Sequence, residues 1–390
     1  MADERAEGGA RRLADLLHAQ ARACADLGSP LYAHLLTRAG EDALAGGPVR
    51  RVLAGHEDDP PGAALPLRLL GAAHRLALSG EAPGYAAHLP STGGDGDARA
   101  AWSALSALLE DPGAPAREAL RAGLRTAPQT NEVGRSAALA GGLLTAVAGA
   151  LPALGPVVPV RLHEVGCSAG LNLLLDLFRY RGRDGRTRGP AGSPVELEAA
   201  WDAEPPSWPA PGALEVIERV GADPDAVDPA SREGALLLRS YVWADQPHRA
   251  ARLEAALDLA RRVPVQRLRT GAADLLDRLE PREGALTVVQ HSVVWQYLPA
   301  DERAAAEERL EELGAAATRT APLARVALEP GDERDGDGDG GGGAADAFDR
   351  GATGYPVTVT TWPGGHRRVV GSAPPHGVPV RWHEGQAPGG

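Results

Sequence analysis

The sequence predicts an α/β protein in which a helical N-terminal region precedes a domain built on a mostly parallel sheet. Three observations lead to this fold class. Residues 1–150 follow helical periodicity and contain no segment with strand-like alternation. From about residue 160, short apolar runs typical of buried strands alternate with helical patterns, which predicts parallel strands. Residues 356–362 and 367–370, joined by a Pro-Gly-Gly turn, predict a closing antiparallel hairpin.

The composition is that of a globular protein. Of the 390 residues, 43% are hydrophobic and 24% are charged. All 40 basic residues are arginine and the net charge is -12, which argues against a general nucleic-acid backbone binder. We therefore expect a small-molecule substrate, no nucleic acid and no membrane, while the oligomeric state stays open.

The cysteine content is low. Cys24 and Cys167 are the only cysteines, so the chain has neither a disulfide framework nor a Cys-rich zinc site, and we assign no metal. No segment resembles a signal peptide or an apolar membrane span. These features predict a soluble, cytoplasmic protein.

Residues 160–180 organise the rest of the chain. An apolar, extended stretch reaches Glu164 and is followed by Gly166, Ser168 and Gly170, after which residues 171–178 return to helical spacing. Strand, small-residue turn and helix open a βαβ unit. Glu164 would then lie at the carboxyl end of the first strand, where open α/β sheets bind their ligands.

Two chemistries fit this turn. Residues 166–170 read G-x-S-x-G, the nucleophile elbow of α/β-hydrolases, with Ser168 as the nucleophile and Asp274 and His291 as conceivable triad partners. When Glu164 is included they also read E-x-G-x-S-x-G, a variant of a ligand-binding glycine loop in which Ser168 replaces the middle glycine. A hydrolase places several strands before its elbow, whereas the residues before this one are predicted to be helical. Chain order therefore favours the ligand-binding loop.

Polar residues follow each later strand of the predicted sheet. Asp223 comes after the second strand and Asp274 after the third. The fourth strand, residues 285–290, leads into His291 and then into Gln296 and Tyr297. Because carboxyl ends of parallel strands meet at one edge, these side chains are candidates for a common pocket.

A polar segment precedes the first strand. Residues 128–136 concentrate amide, hydroxyl, carboxylate and guanidinium groups before an apolar helix at 137–148. One interpretation is a helix cap formed by residue 130 or Asn131. The other is that Asn131, Glu132 and Arg135 face a ligand in the pocket.

The order of these motifs resembles that of class I S-adenosylmethionine (SAM)-dependent methyltransferases, which have a Rossmann-like seven-stranded sheet with an antiparallel last strand. The residues that carry the resemblance are 164–170, 221–224, 271–274 and 329–330, within residues 160–383. The resemblance implies that the glycine loop meets the methionine and ribose parts of SAM, Glu164 the amino group, Asp223 the ribose hydroxyls and Asp274 the adenine amine. The implied cofactor-binding residues are Glu164, Gly166, Ser168, Gly170, Asn172, Asp223 and Asp274.

Nearly the whole chain also resembles a bacterial family known as domain-of-unknown-function family 2332. Residues 128–135, 166–172, 240–246 and 291–298 look like its signature stretches. This resemblance implies no activity.

Within a methyltransferase, His291 is the candidate general base and Tyr297 a second catalytic candidate. The candidate substrate contacts are Asn131, Glu132, Arg135, Trp243 and Gln296. Trp243 could equally be a core residue, and His291 a helix cap.

We therefore expect a helical region at residues 1–127 and a Rossmann-like SAM-binding domain at 128–383, with an insertion at 181–211, a flexible Gly/Asp-rich loop at 331–346 and a tail at 384–390. The expected function is a SAM-dependent methyltransferase for a small molecule. A non-catalytic SAM- or nucleotide-binding sensor is the alternative, and a serine hydrolase using Ser168 is the less favoured one.

Overall fold

The computed structural model describes residues 2–110, 115–205, 207–331 and 354–383. They form two compact units, one made of residues 2–130 with 231–251 and the other of the remaining described residues. The predicted flexible loop at 331–346, apart from its first residue, and the predicted tail at 384–390 lie outside the described residues.

The first unit is helical. Its core consists mainly of leucines and alanines spaced so that each helix buries one face, as with Leu13, Leu17, Leu35 and Leu69. Its helices are α1 (Ala2–Asp26), α2 (Pro30–Leu44), α3 (Pro48–Val52), α4 (Leu65–Ser79), α5 (Pro83–Ala86), α6 (Ala98–Glu110), α7 (Pro115–Gly123) and, after the long sequence gap, α9 (Arg232–Ser240).

Residues 241–246 join this unit through a helix cap. Asp245 accepts hydrogen bonds from Ser29 Oγ at 2.6 Å and from the Leu31 backbone N–H at 3.0 Å, at the N-terminus of α2. Gln246 Nε2 donates to the Leu27 carbonyl at 2.8 Å. A segment more than 200 residues away in sequence therefore supplies the carboxylate that caps α2.

Replacing Asp245 with Ala should lower the free energy of unfolding by about 2 kcal/mol, because two donors at the start of α2 lose their charged acceptor. Urea denaturation followed by circular dichroism measures this change. Asp15→Ala is the matched control, since Asp15 is an exposed carboxylate on α1 of the same unit. Equal stability of the two variants would contradict the capping role.

The second unit is built on a mainly parallel sheet with antiparallel strands at one end, so the predicted α/β class with a helical N-terminal region is confirmed. The strands of this sheet are β1 (Val158–Val165), β5 (Leu214–Ala222), β6 (Gln266–Leu268), β7 (Leu286–Ser292), β8 (Leu323–Leu328), β9 (Tyr355–Trp362), β10 (His366–Ala373) and β11 (Arg381–Trp382). These eight strands lie in the order β11-β10-β9-β8-β7-β1-β5-β6, where seven strands were expected. The extra strand is β11, a two-residue pairing along β10.

Helices cover both faces of this sheet. On one face lies α8 (Ser136–Leu154), where Gly142 packs directly against Val326 of β8. On the other face, α11 (Ala272–Leu276) and α12 (Ala300–Ala316) bury Leu275 and Leu310 against Val165 and Val289. Helix α10 (Pro247–Ala260) precedes β6 in the chain. Strand β1 therefore lies between β5 and β7 in the middle of a covered sheet.

Helix α8 belongs to the only described segment, Val133–Leu154, that is long and apolar enough to cross a membrane. Of its most apolar window, 56% is buried inside the protein. A helix that covers one face of a central sheet needs this apolar character for packing alone.

The helix after the glycine loop is of a different type from the one predicted. Leu171–Leu177 forms a seven-residue 3-10 helix, not an α-helix, and the chain then enters a three-stranded sheet of β2 (Arg179–Arg181), β3 (Thr187–Arg188) and β4 (Glu196–Leu197). The apolar spacing at 171–178 fits either helix type over so short a stretch. The helix ends at Leu177, and the chain is extended from Arg179, where β2 pairs with β3 and β4.

Candidate functional site

The carboxyl ends of β1 and β7 bring together a buried carboxyl group and a buried amide. Glu164 is opposite Gln290 in the parallel register, so the two side chains point to the same face of the sheet. Gln290 in turn is opposite Val326, the residue that contacts α8. Glu164 is 1% exposed and Gln290 is fully buried.

Polar side chains surround Glu164. Ser136 Oγ donates to Asn172 Oδ1 at 2.7 Å, and Gln290 Nε2 donates to the Asn172 carbonyl at 3.2 Å. Burial raises the pKa of Glu164 to about 8, although hydrogen bonds from the Gln290 and Asn172 side chains oppose that rise. Its Oε2 has no hydrogen-bond partner in the described part of the chain. We call Ser136, Glu164, Asn172 and Gln290 the Glu164 cluster.

The glycine loop next to this cluster uses most of its backbone N–H groups inside the protein. The acceptors come from the next strand, from the loop itself and from the segment before α8. The hydrogen bonds run from the N–H groups of Gly166 and Cys167 to the Ala222 carbonyl, from Ser168 to Asp223 Oδ2, from Gly170 to the Cys167 carbonyl and from Leu171 to Asn131 Oδ1. The loop therefore does not present a row of free donors.

Two acidic residues predicted at strand ends differ in their surroundings. Asp223 is half-buried beside the glycine loop and accepts from the N–H groups of Ser168 at 3.0 Å and Asp225 at 2.8 Å. Burial is the main cause that raises its pKa. Asp274 is exposed on α11 and accepts from Thr270 Oγ1. Asp223 is thus part of the loop structure, while Asp274 faces solvent.

The polar segment before α8 holds the glycine loop in place. Asn131 adopts a left-handed backbone conformation with φ of 36°, and Glu132 Oε1 accepts from the Gly134 N–H at 2.9 Å. The guanidinium of Arg135 donates to the carbonyls of Pro375 at 2.9 Å and Ser292 at 3.3 Å. These three predicted substrate contacts all have bonds to backbone groups, so their first role is to shape the site.

His291 lies on the opposite face of the sheet from Glu164, since it is the neighbour of Gln290 in β7. Its Nδ1 is 2.7 Å from Glu329 Oε1, and its Nε2 accepts from Arg325 Nε at 2.9 Å. Burial and the charge of Arg325 lower its pKa. The neutral ring must therefore carry its proton on Nδ1 and donate it to Glu329. Neither ring nitrogen is available to take a proton from a substrate in this arrangement.

The hydrolase triad is not assembled either. Ser168 does have the left-handed backbone of a nucleophile elbow, with φ of 51°. However, the nitrogens of His291 are bonded to Glu329 and Arg325, and Asp274 is bonded to Thr270. Within the described ranges no strand precedes Val158, whereas a hydrolase has several strands before its nucleophile elbow.

The remaining candidates lie apart from the Glu164 cluster. Gln296 and Tyr297 are exposed in the 3-10 helix Trp295–Tyr297. Trp243 is a core residue of the first unit, because its indole packs on Tyr32 with ring centroids 5.8 Å apart and on the Arg249 guanidinium. The apolar surface of an indole is enough to account for its position there.

Three residues of the site were not predicted from the sequence. The sequence shows Gln290 only as the end of a predicted buried strand, although an amide in an otherwise apolar strand is itself a signal. It shows Ser136 only as the end of a polar segment. Glu329 precedes a proline at residue 330, and no sequence pattern indicates that its carboxylate accepts from the N–H groups of Val294 and Trp295.

The comparisons with known proteins give the family of the chain. A family model described as uncharacterised proteins conserved in bacteria, domain-of-unknown-function family 2332, matches residues 14–382. The chain belongs to this family. Neither the curated proteins nor the solved structures contain a match to it. Membership confirms the resemblance of nearly the whole chain to this family and brings no activity with it.

Glu164 should make the stability of this protein depend on pH. Its pKa is about 8 in the folded chain and 4.5 as the ordinary value, so the folded state binds the proton more tightly and stability falls as the pH rises between these values. Glu164→Gln cannot ionise and should be more stable than wild type by on the order of 5 kcal/mol above about pH 8.

Urea denaturation across this pH range measures the difference, which should shrink towards zero near about pH 5. Glu215→Gln is the matched control, because Glu215 is exposed on the neighbouring strand β5. If the difference in free energy of unfolding between Glu164→Gln and wild type does not change with pH, burial does not keep the Glu164 carboxyl protonated.

Proposed function

We propose that the second unit binds SAM at the carboxyl ends of β1 and β7 and transfers its methyl group to a small molecule. The observation that carries the proposal is the Glu164 carboxyl, which is buried next to the glycine loop with one oxygen lacking a partner in the described chain. A buried acceptor of this kind is costly unless a donor satisfies it. The ammonium group of an amino-acid ligand is such a donor.

The order of the parallel strands supports a ligand at this place. Numbered by their order in the chain, the five parallel strands β6, β5, β1, β7 and β8 lie as 3-2-1-4-5. This order supports the proposed Rossmann-like fold, in which the chain reverses direction across the sheet between the first and fourth strands. Ligands of such sheets bind outside the strand ends at that reversal, and Glu164 and Gln290 stand there.

The bonding of the glycine loop favours SAM over a dinucleotide. Phosphate groups bind where several free backbone N–H groups converge at a helix N-terminus. Here those groups are largely bonded within the protein, and only a short 3-10 helix follows. SAM carries no phosphate and presents an ammonium and a ribose diol, both of which suit carboxylates.

Asp223 fits the diol. A carboxylate has about four acceptor positions, and the two N–H groups of Ser168 and Asp225 leave capacity for ribose hydroxyls. Asp274, exposed on α11 after β6, is assigned to the adenine amine on the resemblance alone. The loop residues Gly166, Ser168 and Gly170 and the neighbouring Asn172 complete the proposed cofactor contacts.

When bound, SAM supplies the electrophilic methyl group. The protein then has to orient the acceptor, exclude water and hold charge, which needs little acid–base chemistry unless the acceptor carries a proton. Exposed Tyr297 and Gln296 are the proposed acceptor contacts. His291 can act as a base only after Arg325 releases its Nε2.

That last point favours a second candidate function, a SAM-binding sensor without catalysis. In either case we propose a small-molecule ligand, no nucleic acid, no membrane and a cytoplasmic location. The two cysteines are free and buried, as is usual in a reducing compartment.

Isothermal titration calorimetry with SAM and with its demethylated product tests the proposal. We expect binding to wild type. For Glu164→Gln we expect a dissociation constant at least about tenfold higher, because the Glu164 carboxyl can give up its proton and pair with the ligand ammonium, whereas glutamine cannot ionise. Glu215→Gln should bind as wild type does. If neither SAM nor its demethylated product gives heat on titration, both the enzyme and the sensor hypotheses are rejected.

A methyl-transfer screen on a metabolite extract with labelled SAM separates the two candidates. Label transfer by wild type supports the enzyme, and binding without transfer supports the sensor. If His291 is the base, His291→Ala should bind SAM normally and lose about two orders of magnitude in rate. Transfer at the wild-type rate would remove His291 from the mechanism.

A further inference from the structure

The segment that follows β7 covers the glycine loop. Residues 293–297, here called the cover segment, place Val294 directly over Gly166. A Cβ atom built on Gly166 would lie 2.3 Å from Val294 Cγ2 and 2.8 Å from Val294 Cβ. The Val294 side chain thus occupies the space that a side chain at position 166 would need, and it lies in contact with the glycine loop.

Glu329 holds the cover segment down. Its two carboxylate oxygens accept from the Val294 N–H at 3.1 and 3.2 Å and from the Trp295 N–H at 3.3 Å. The same carboxylate accepts from His291, whose ring stacks on Trp295 with centroids 4.3 Å apart. One side chain at the end of β8 therefore binds two successive amides of the cover segment and the residue beneath it.

The backbone is strained where the cover segment begins. Val293 has φ of 52°, a left-handed conformation that is rare for a β-branched residue. Its own N–H still bonds to the Leu328 carbonyl at 2.9 Å, so the sheet ladder continues to this residue and stops there. Strain of this kind persists only where surrounding contacts impose it, and here the Glu329 bonds do so.

We propose that the cover segment is a lid, with Val293 as its hinge and Glu329 as its latch, and that it must leave Gly166 before a ligand can reach Glu164. Opening releases the strain at Val293 and breaks the bonds to Glu329, so the two effects oppose each other. The lid as an access route rests on the proposed SAM site, whereas its opening is a property of the free protein.

Latch and hinge can be changed in opposite directions. Glu329→Gln keeps the size of the side chain and removes the charge that binds two amides at once. Val293→Asn introduces a residue that adopts left-handed backbone readily and still has a Cβ, so it relieves strain in the closed form without the added freedom of glycine.

Hydrogen–deuterium exchange with mass spectrometry, read on peptides that span residues 293–297, measures opening in the free protein. In Glu329→Gln the amides of Val294 and Trp295 should exchange about tenfold faster or more. In Val293→Asn they should exchange roughly fivefold slower. The controls are Glu215→Gln and Val157→Asn, at exposed positions, and peptides from β5 report whether each variant keeps its fold.

The lid is overturned if the cover segment exchanges at the wild-type rate in both variants while β5 stays protected. It is also overturned if Val293→Asn speeds exchange. Stopped-flow binding of SAM then tests access, since Glu329→Gln should raise the association rate and Val293→Asn lower it, whereas Glu164→Gln should act on dissociation. Opposite exchange changes with no SAM binding at all would retain the lid and reject the proposed function.

Discussion

The second unit depends on one constraint, which is that the carboxyl group of Glu164 is buried where the central strand β1 ends. Strand β1 has neighbours on both sides, so Glu164 cannot turn to solvent. The interior tolerates a carboxyl only if it is protonated or hydrogen-bonded. The amides of Asn172 and Gln290 supply part of that bonding, the raised pKa supplies the proton, and one oxygen remains without a described partner.

The surrounding polar residues follow from this constraint. Ser136 orients Asn172, and Asn131 and Asp223 bind the N–H groups of the loop that Glu164 leads into. Side chains that the sequence offered as direct ligand contacts thus act first on the backbone. A site of this kind is organised before any ligand arrives, which lowers the entropy lost on binding.

The two faces of the sheet divide the predicted site. Neighbouring residues of a strand point to opposite faces, so Gln290 joins the Glu164 cluster while His291 joins Glu329 and Arg325. The two groups approach each other at the strand ends, where Val294 contacts Gly166.

Local patterns in the sequence determined the fold class, the helical N-terminal region, the position of the first strand and the residue types at the strand ends. These depend on periodicity and on short turn motifs, which neighbouring residues set among themselves. The tertiary structure alone decided that 171–177 is a 3-10 helix, that Trp243 is a core residue and that Asp245 caps α2. It also decided which hydrogen bonds occupy His291, because partners such as Glu329 come from distant strands whose register no local pattern encodes.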